Sequence, residues 1–348
     1  MIEFWTVALA LTLILYVVLD GLDLGVGMLL ALAPDERHRR QMLAAIAPVW
    51  DGNETWLIVT ASILFGIFPL VYASLLSAFY LPLFLMLAGL ILRGISFEFR
   101  EKSIRRKRFW DGCFIFGSLV ATFIQGMTVG ALVTGLPIAD GQYTGGAFGW
   151  YSPFALFCGL GLCLGYAMLG AGWLVCKTEG DIQTMAFRLL PRLLGGVLLF
   201  LTVAFVAALG LQLRVMERWL DRPALVIFPM IGVAATWAMF RAVRHRQERT
   251  PFLCGLVIFA AAFGTLAVSF YPYMVPFSIT IAEAAAPRSS QAFLFWGAGL
   301  VVLPITLVYT LVIYFLFKGK VDPEADYSSW SSVDPSNETE ETIVKVPQ

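Results

Sequence analysis

The sequence predicts an all-α polytopic membrane protein, and three observations carry that prediction. Of 348 residues, 59% are hydrophobic and only 14% are charged, where a soluble domain carries about 25% charged residues. Mean hydropathy is +0.79. Long apolar stretches recur from end to end, and about 20 apolar residues in a helix cross a hydrocarbon core of about 30 Å. These stretches are too long and too uniformly apolar for barrel strands. Net charge is zero, which leaves no basic footprint for nucleic acid.

Nine transmembrane helices are expected, over 4–32, 52–73, 76–97, 110–136, 152–176, 190–213, 223–243, 252–273 and 292–317. The first run starts at Phe4 with no basic stretch before it and no small-residue cleavage site after it, so this helix is expected to be retained. An odd number of spans puts the termini on opposite sides. The 33–47 connection carries Arg37, Arg39 and Arg40; the 98–109 connection carries Arg100, Lys102, Arg105, Arg106, Lys107 and Arg108. Lys177, Arg188 and Arg192 mark the third connection on that side, and Arg241, Arg244, Arg246 and Arg249 the fourth. Lys318, Lys320 and Lys345 follow the last span. The opposite side holds only Arg214, Arg218, Arg222 and Arg288. The bias of Lys and Arg toward the cytoplasm places the N-terminus out and the C-terminus in. The membrane domain spans 1–320. From Val321 the composition turns acidic and Ser-rich, and 321–348 reads as a disordered cytoplasmic tail.

Charge within the spans is rare and therefore informative, because each such residue costs about 2.5–3.5 kcal/mol at a helix centre. Asp20, Asp23, Asp51, Glu54, Arg93, Glu98 and Asp111 are expected at one depth, near the cytoplasmic ends of the first four helices. Asp20 and Asp23 are three residues apart and share a helix face, as do Asp51 and Glu54. The glycines of DGLDLGVG (Gly21, Gly25 and Gly27) suit close helix approach. Carboxylates gathered around one arginine in a low dielectric are what a proton relay requires. A structural account stands beside that one, in which Asp51 caps its helix, Arg93 is a counter-ion and Glu98 pairs with Arg100. Trp50 and Trp56 read as interfacial anchors.

No histidine falls in a span, since His38 and His245 both lie in basic connections. The five cysteines read as packing residues. No metal-ligand spacing, phosphate loop or nucleophile triad is present. The chain alone therefore predicts no redox centre, no cofactor-binding residue and no metal site.

Five blocks carry a resemblance: DGLDLGVGMLL at 20–30, IAPVWDGNETWLI at 46–58, FPLVYASLLSAFYLPL at 68–83, LILRGISFEFR at 90–100 and FYPYMVPFSI at 270–279. Together they resemble subunit II of the cytochrome bd quinol oxidases over residues 1–320. The resemblance implies two four-helix bundles, 1–136 and 152–273, plus a peripheral ninth helix at 292–318. It implies a heterodimer in the bacterial cytoplasmic (inner) membrane with a haem-bearing subunit I, and in some members small single-span subunits. Subunit I would hold two b-type haems, one d-type haem and the quinol site. The complex would oxidise quinol, reduce oxygen to water and take protons from the cytoplasm, building a membrane potential without pumping. Subunit II would carry no haem, and in some members a structural quinone. Asp51 matches the WDGN aspartate, which in the family lines a cytoplasmic proton path. Asp20 and Asp23 match the DG-x-D pair, Glu54 the NE position and Arg93 the LRG arginine. Three functions follow for comparison: a proton-supplying oxidase subunit, an assembly scaffold for subunit I, and a proton-coupled transporter.

Overall fold

The computed structural model describes residues 1–139, 141–210 and 226–322. Helix α1 (Ile2–Leu29) ends in a 3-10 turn, Leu30–Leu32. A short helix α2 (Glu36–Ala44) follows, capped by the Asp35 carboxylate, which accepts from the His38 backbone N–H at 3.0 Å. Helices α3 (Trp50–Ile67), α4 (Pro69–Lys102) and α5 (Lys107–Thr134) come next. A hairpin of two-residue strands, β1 (Ile138–Ala139) and β2 (Gln142–Tyr143), leads to α6 (Pro153–Lys177), whose cap is Ser152. Then come α7 (Gly180–Gly210), α8 (Ile227–Arg244) and α9 (Thr250–Phe270). Strands β3 (Tyr273–Val275) and β4 (Ile279–Thr280) pair antiparallel ahead of a single turn, α10 (Ile281–Ala284). The last helix starts as α11 (Arg288–Leu294), passes through a π-helical stretch at Phe295–Val302, and ends as α12 (Leu303–Leu316).

Among the described residues, seven helical runs are long and apolar enough to cross a membrane: Ile2–Leu32, Pro69–Lys102, Lys107–Thr134, Pro153–Lys177, Gly180–Gly210, Thr250–Phe270 and Arg288–Leu316. The other two long helices, α3 and α8, have 18 residues each. Large apolar side chains such as Phe84, Val233 and Phe315 point outward and are mostly exposed, as lipid-facing residues are.

Three expected boundaries change. The second span was expected to reach residue 73, but α3 stops at Ile67 and Phe68 takes a non-helical conformation. Pro69 is the cause, because a proline disfavours the helical region for the residue before it. The third span was expected over 76–97, but α4 runs from Pro69 to Lys102 and bends at Phe79. Pro82 supplies no N–H to the turn before it and its ring crowds the carbonyl four residues back. The sixth span was expected from 190, but α7 starts at Gly180, which takes φ +68°. Its first turns bury Ile182, Ala186, Phe187 and Leu190 on one face and leave Arg188 exposed on the other. That amphipathic pattern reads as polar on average and hides the helix from a hydropathy window.

Helices α1 and α6 sit at the centre. Helix α1 packs on α3, α5 and α6, while α6 packs on α1, α5, α7 and α9. Their crossing is close because Gly25 faces Gly170. A Cβ at Gly25 would collide with the Tyr166 carbonyl oxygen, so only glycine permits this approach. The last helix lies at the rim and is tied at both ends. Trp5 Nε1 donates to the Gln291 carbonyl at 3.2 Å, and Lys177 Nζ donates to the carbonyls of Phe317 and Gly319. Residues 211–225 and 323–348, which hold Arg214, Arg218, Arg222 and the acidic tail, lie outside the described residues.

Candidate functional site: a buried acid–arginine cluster

The first turns of α3 place Asn53, Trp56 and Thr60 on the face turned to α1, and all three are buried. Spacings of three and four keep them in line on that face. Asp51, on the opposite side of the same turn, is exposed, and Glu54 is half-buried. Helix α1 brings Asp20 and Asp23, and α4 brings Arg93; these three are fully buried.

Arg93 Nη1 donates to Asp20 Oδ1 at 2.8 Å. Its guanidinium is sandwiched by aromatic rings, 5.8 Å from the centroid of Trp50 and 5.9 Å from that of Phe114. Asp23 takes a different partner: Asn53 Nδ2 donates to its Oδ2 at 2.7 Å and to the Leu19 carbonyl at 3.3 Å. Asn53 Oδ1 in turn accepts from the Tyr314 hydroxyl of α12 at 3.1 Å. Asp20 Oδ2, Asp23 Oδ1, Arg93 Nε and Nη2, Trp56 Nε1 and Thr60 Oγ1 have no hydrogen-bond partner among the described residues. Buried polar groups of this kind cost about 1–3 kcal/mol each when left bare, and ordered water is their usual partner. Two carboxyl groups and one guanidinium, with several polar atoms left without a partner, make a site polar enough to hold water.

One turn deeper along α1, Tyr16 opens a second hydrogen-bonded group. Gln125 Nε2 donates to the Tyr16 hydroxyl at 2.8 Å, and the Tyr166 hydroxyl donates to Gln125 Oε1 at 3.0 Å. This chain links α1, α5 and α6.

The expected single cluster divides in two. Two turns from Arg93, or about 10 Å along the helix, Arg100 forms its own network at the arginine-rich end. Its Nε donates to Asp111 Oδ1 at 2.5 Å, its Nη2 to Glu36 at 2.9 Å and its Nη1 to Glu101 at 3.2 Å. The Glu98–Arg100 pairing that the sequence suggested does not form; Glu98 is exposed, because α4 turns Arg100 inward and Glu98 outward. Trp56 is no interfacial anchor either: it is fully buried against α1, since its position shares the face of Asn53. Sequence reasoning named Asp20, Asp23, Asp51, Glu54 and Arg93 but missed Asn53, the residue that joins Asp23 to the last helix. An asparagine two positions after Asp51, entering an apolar run, was the available signal. Tyr314, 261 residues further on, offered none.

Neither histidine lies within a membrane-crossing run. His38 sits beside Asp35 in the connection after α1, and His245 follows the end of α8. Among the described residues no group of His, Cys, Asp and Glu is placed to hold a metal ion.

A multi-pass helical membrane protein with a buried acid–arginine cluster among its first helices is the class that fold and site define. Within that class, the chain belongs to the family described as cytochrome bd terminal oxidase subunit II, which matches residues 1–317. It is 29% identical over 361 aligned positions to the cytochrome bd-I ubiquinol oxidase subunit 2 of Escherichia coli strain K12, covering 92% of this chain and 95% of that one. It is 30% identical to the probable cytochrome oxidase subunit 2 of Haemophilus influenzae, covering 90% and 89%. It is 28% identical to the cytochrome bd ubiquinol oxidase subunit 2 of Bacillus subtilis, covering 92% and 96%. The fold is similar to a chain of the bd oxidase structure from Geobacillus thermodenitrificans, with a TM-score of 0.73 at 18% identity over 90% of this chain and 99% of that one.

Proposed function

We propose that this chain is the haem-free subunit of a quinol:oxygen oxidoreductase in the bacterial inner membrane, and that it supplies part of a cytoplasmic proton path to a haem-bearing partner. Quinol would be oxidised and oxygen reduced to water in the partner, which carries two b-type haems and one d-type haem, with small accessory subunits, lipid or a structural quinone as further associates. In this reading α3 and α8 complete nine spans, with the N-terminus outside and the arginine-rich end in the cytoplasm. Helices α1 and α3–α5 form one bundle and α6–α9 the other, with the last helix peripheral.

One observation carries the reading: Asp20 and Asp23 are fully buried beside Arg93, each with an oxygen that has no protein partner. They lie inward of Asp51 and Glu54, in the half of α1 that the basic residues assign to the cytoplasm. Exposed Asp51 would collect protons, half-buried Glu54 would follow, and the inner pair would receive them, with Arg93 offsetting part of the charge. The test uses the whole complex. Asp51→Asn and Asp23→Asn should each slow oxygen reduction while the haem spectrum stays intact. Full turnover in both variants would sink the proton role.

The scaffold reading rests on the same bonds. Arg93–Asp20 ties α4 to α1, and Asn53 ties α1, α3 and α12 together. If scaffolding is the whole role, the same substitutions should lower haem content and leave the turnover of each assembled complex unchanged. A proton-coupled transporter is disfavoured, because the chain matches the oxidase subunit family over residues 1–317.

A further inference from the structure

We infer that water and protons reach the buried acid pair through a crevice between the first turn of α3 and the last helix, and that the Tyr314–Asn53 hydrogen bond is the latch across it. This rests on the proton-path reading above and names its entrance.

The crevice is lined by Pro48, Val49, Gly52 and Asn53 from the α3 side and by Tyr309, Thr310, Ile313 and Tyr314 from α12. Its volume is about 10 Å³, which is room for one water. Exposed Asp51 lies on the other side of the same turn and does not line the crevice, which makes the crevice a route to Asp23 separate from Asp51. On the inner side stands Asn53, whose amide covers Asp23 Oδ2 at 2.7 Å, while Asp23 Oδ1 is left without a protein partner.

The chemistry of the chain Tyr314–Asn53–Asp23 decides between a wire and a latch. A carboxamide neither takes up nor releases a proton near neutral pH. A proton arriving at the Tyr314 hydroxyl has no path through Asn53 to Asp23. The Tyr314 hydroxyl holds Asn53 Oδ1 at 3.1 Å, and so fixes the amide across the way to Asp23. When that bond opens, Asn53 can turn and a crevice water can meet Asp23 Oδ1 directly. The last helix, apart from the bundle along most of its length, thereby acquires a role at its inner end.

The test uses the assembled, haem-loaded complex in vesicles. Thr310→Trp fills the crevice from one wall. Gly52→Val fills it from the other, since a Cβ at Gly52 already stands 3.5 Å from Tyr309 Cε1. Each should lower kcat several-fold at equal haem content, leave the KM for quinol unchanged, and show a deficit that shrinks as the pH is lowered and proton supply rises. Gly112→Ala, where a Cβ meets nothing within 4 Å and which lies away from the crevice, should turn over like wild type. Tyr314→Phe releases the latch and should turn over faster than wild type; an unchanged rate would overturn the latch. If Thr310→Trp and Gly52→Val both run at wild-type rate while Asp23→Asn is slow, the proton path stands and this entrance is wrong. If Asp23→Asn and Asp51→Asn run at full rate, the proton path itself fails. A Tyr314→Phe complex as slow as Asp23→Asn would make the hydroxyl a conducting group and overturn the latch. Should Thr310→Trp fail to assemble, Gly52→Val and Tyr314→Phe decide the question.

Discussion

Replacing Arg93 by methionine is the perturbation whose cost follows most directly from the geometry. The substitution keeps an unbranched apolar stem between Trp50 and Phe114 and removes the guanidinium that donates to Asp20. Charges centred about 4 Å apart attract by about 4 kcal/mol at an effective dielectric near 20. Removing one partner of a buried pair typically costs 3–5 kcal/mol, roughly the same figure, because the other charge is left buried and alone. About 4 kcal/mol corresponds to nearly a thousandfold in an equilibrium constant. The yield and thermal stability of the detergent-purified heterodimer should therefore fall sharply, read by fluorescence-detected size exclusion and by haem content. The compensating change is specific: Asp20→Asn combined with Arg93→Met removes both charges of the pair and should recover most of the loss. A stable Arg93→Met complex, or a double variant as poor as the sum of the singles, would refute the assignment of Asp20–Arg93 as a mutually dependent pair.

Two further outcomes test the fold around the site. Gly25→Ala sets a methyl group against the Tyr166 backbone oxygen; forcing α1 and α6 apart should cost about 1–3 kcal/mol, seen as a lower melting midpoint, while Gly112→Ala, where a Cβ meets nothing within 4 Å, should change nothing. Asp35 caps α2, and the His38 backbone N–H and ring hold its carboxyl below the usual carboxylate range. A carboxylate with a lowered folded value stabilises above its unfolded value, and the contribution is lost as pH falls through the folded one. Amide exchange in α2 should thus stay protected from neutral pH down into the ordinary carboxylate range and be lost below it. Asp35→Ala should show the loss already at neutral pH; equal protection in both proteins would remove the cap from the account.

Much of this was legible in the sequence because the bilayer enforces simple rules. A charge in an apolar run must be sheltered, so Asp20, Asp23 and Arg93 could be named before any contact was known, and all three are fully buried. Gly25 could be named for the same reason, as a close approach between helices. What stayed hidden depended on long-range partners or on local conformation. Nothing near residue 314 announces a tyrosine bonded to Asn53. Arg100 looked like one of several basic residues in a loop, yet it lies at the end of a helix and meets Asp111, Glu36 and Glu101 from three directions. Hydropathy averaging also missed the start of α7, where one apolar face is diluted by charges on the other.

The two arginine clusters differ in a way that bears on what each can do. Arg100 is buried, but its partners Glu36 and Glu101 are partly open to solvent. Water and salt can therefore adjust that network, and its acids come from α2, α4 and α5, which it clamps together. Arg93 has no such relief: Asp20 and Asp23 are fully enclosed, and two acids face one base. A proton or a water molecule held at the open carboxyl oxygens is what the proposed proton path would place there. The groups that bind there sit on α1, α3 and α4, with α12 joined through Asn53. Any change in the charge of the site thus acts on the packing of four helices at once. Deleting a side chain will disturb assembly for that reason, and isosteric changes that keep the volume and alter only charge or hydrogen bonding are the ones that test the proposed proton role apart from it.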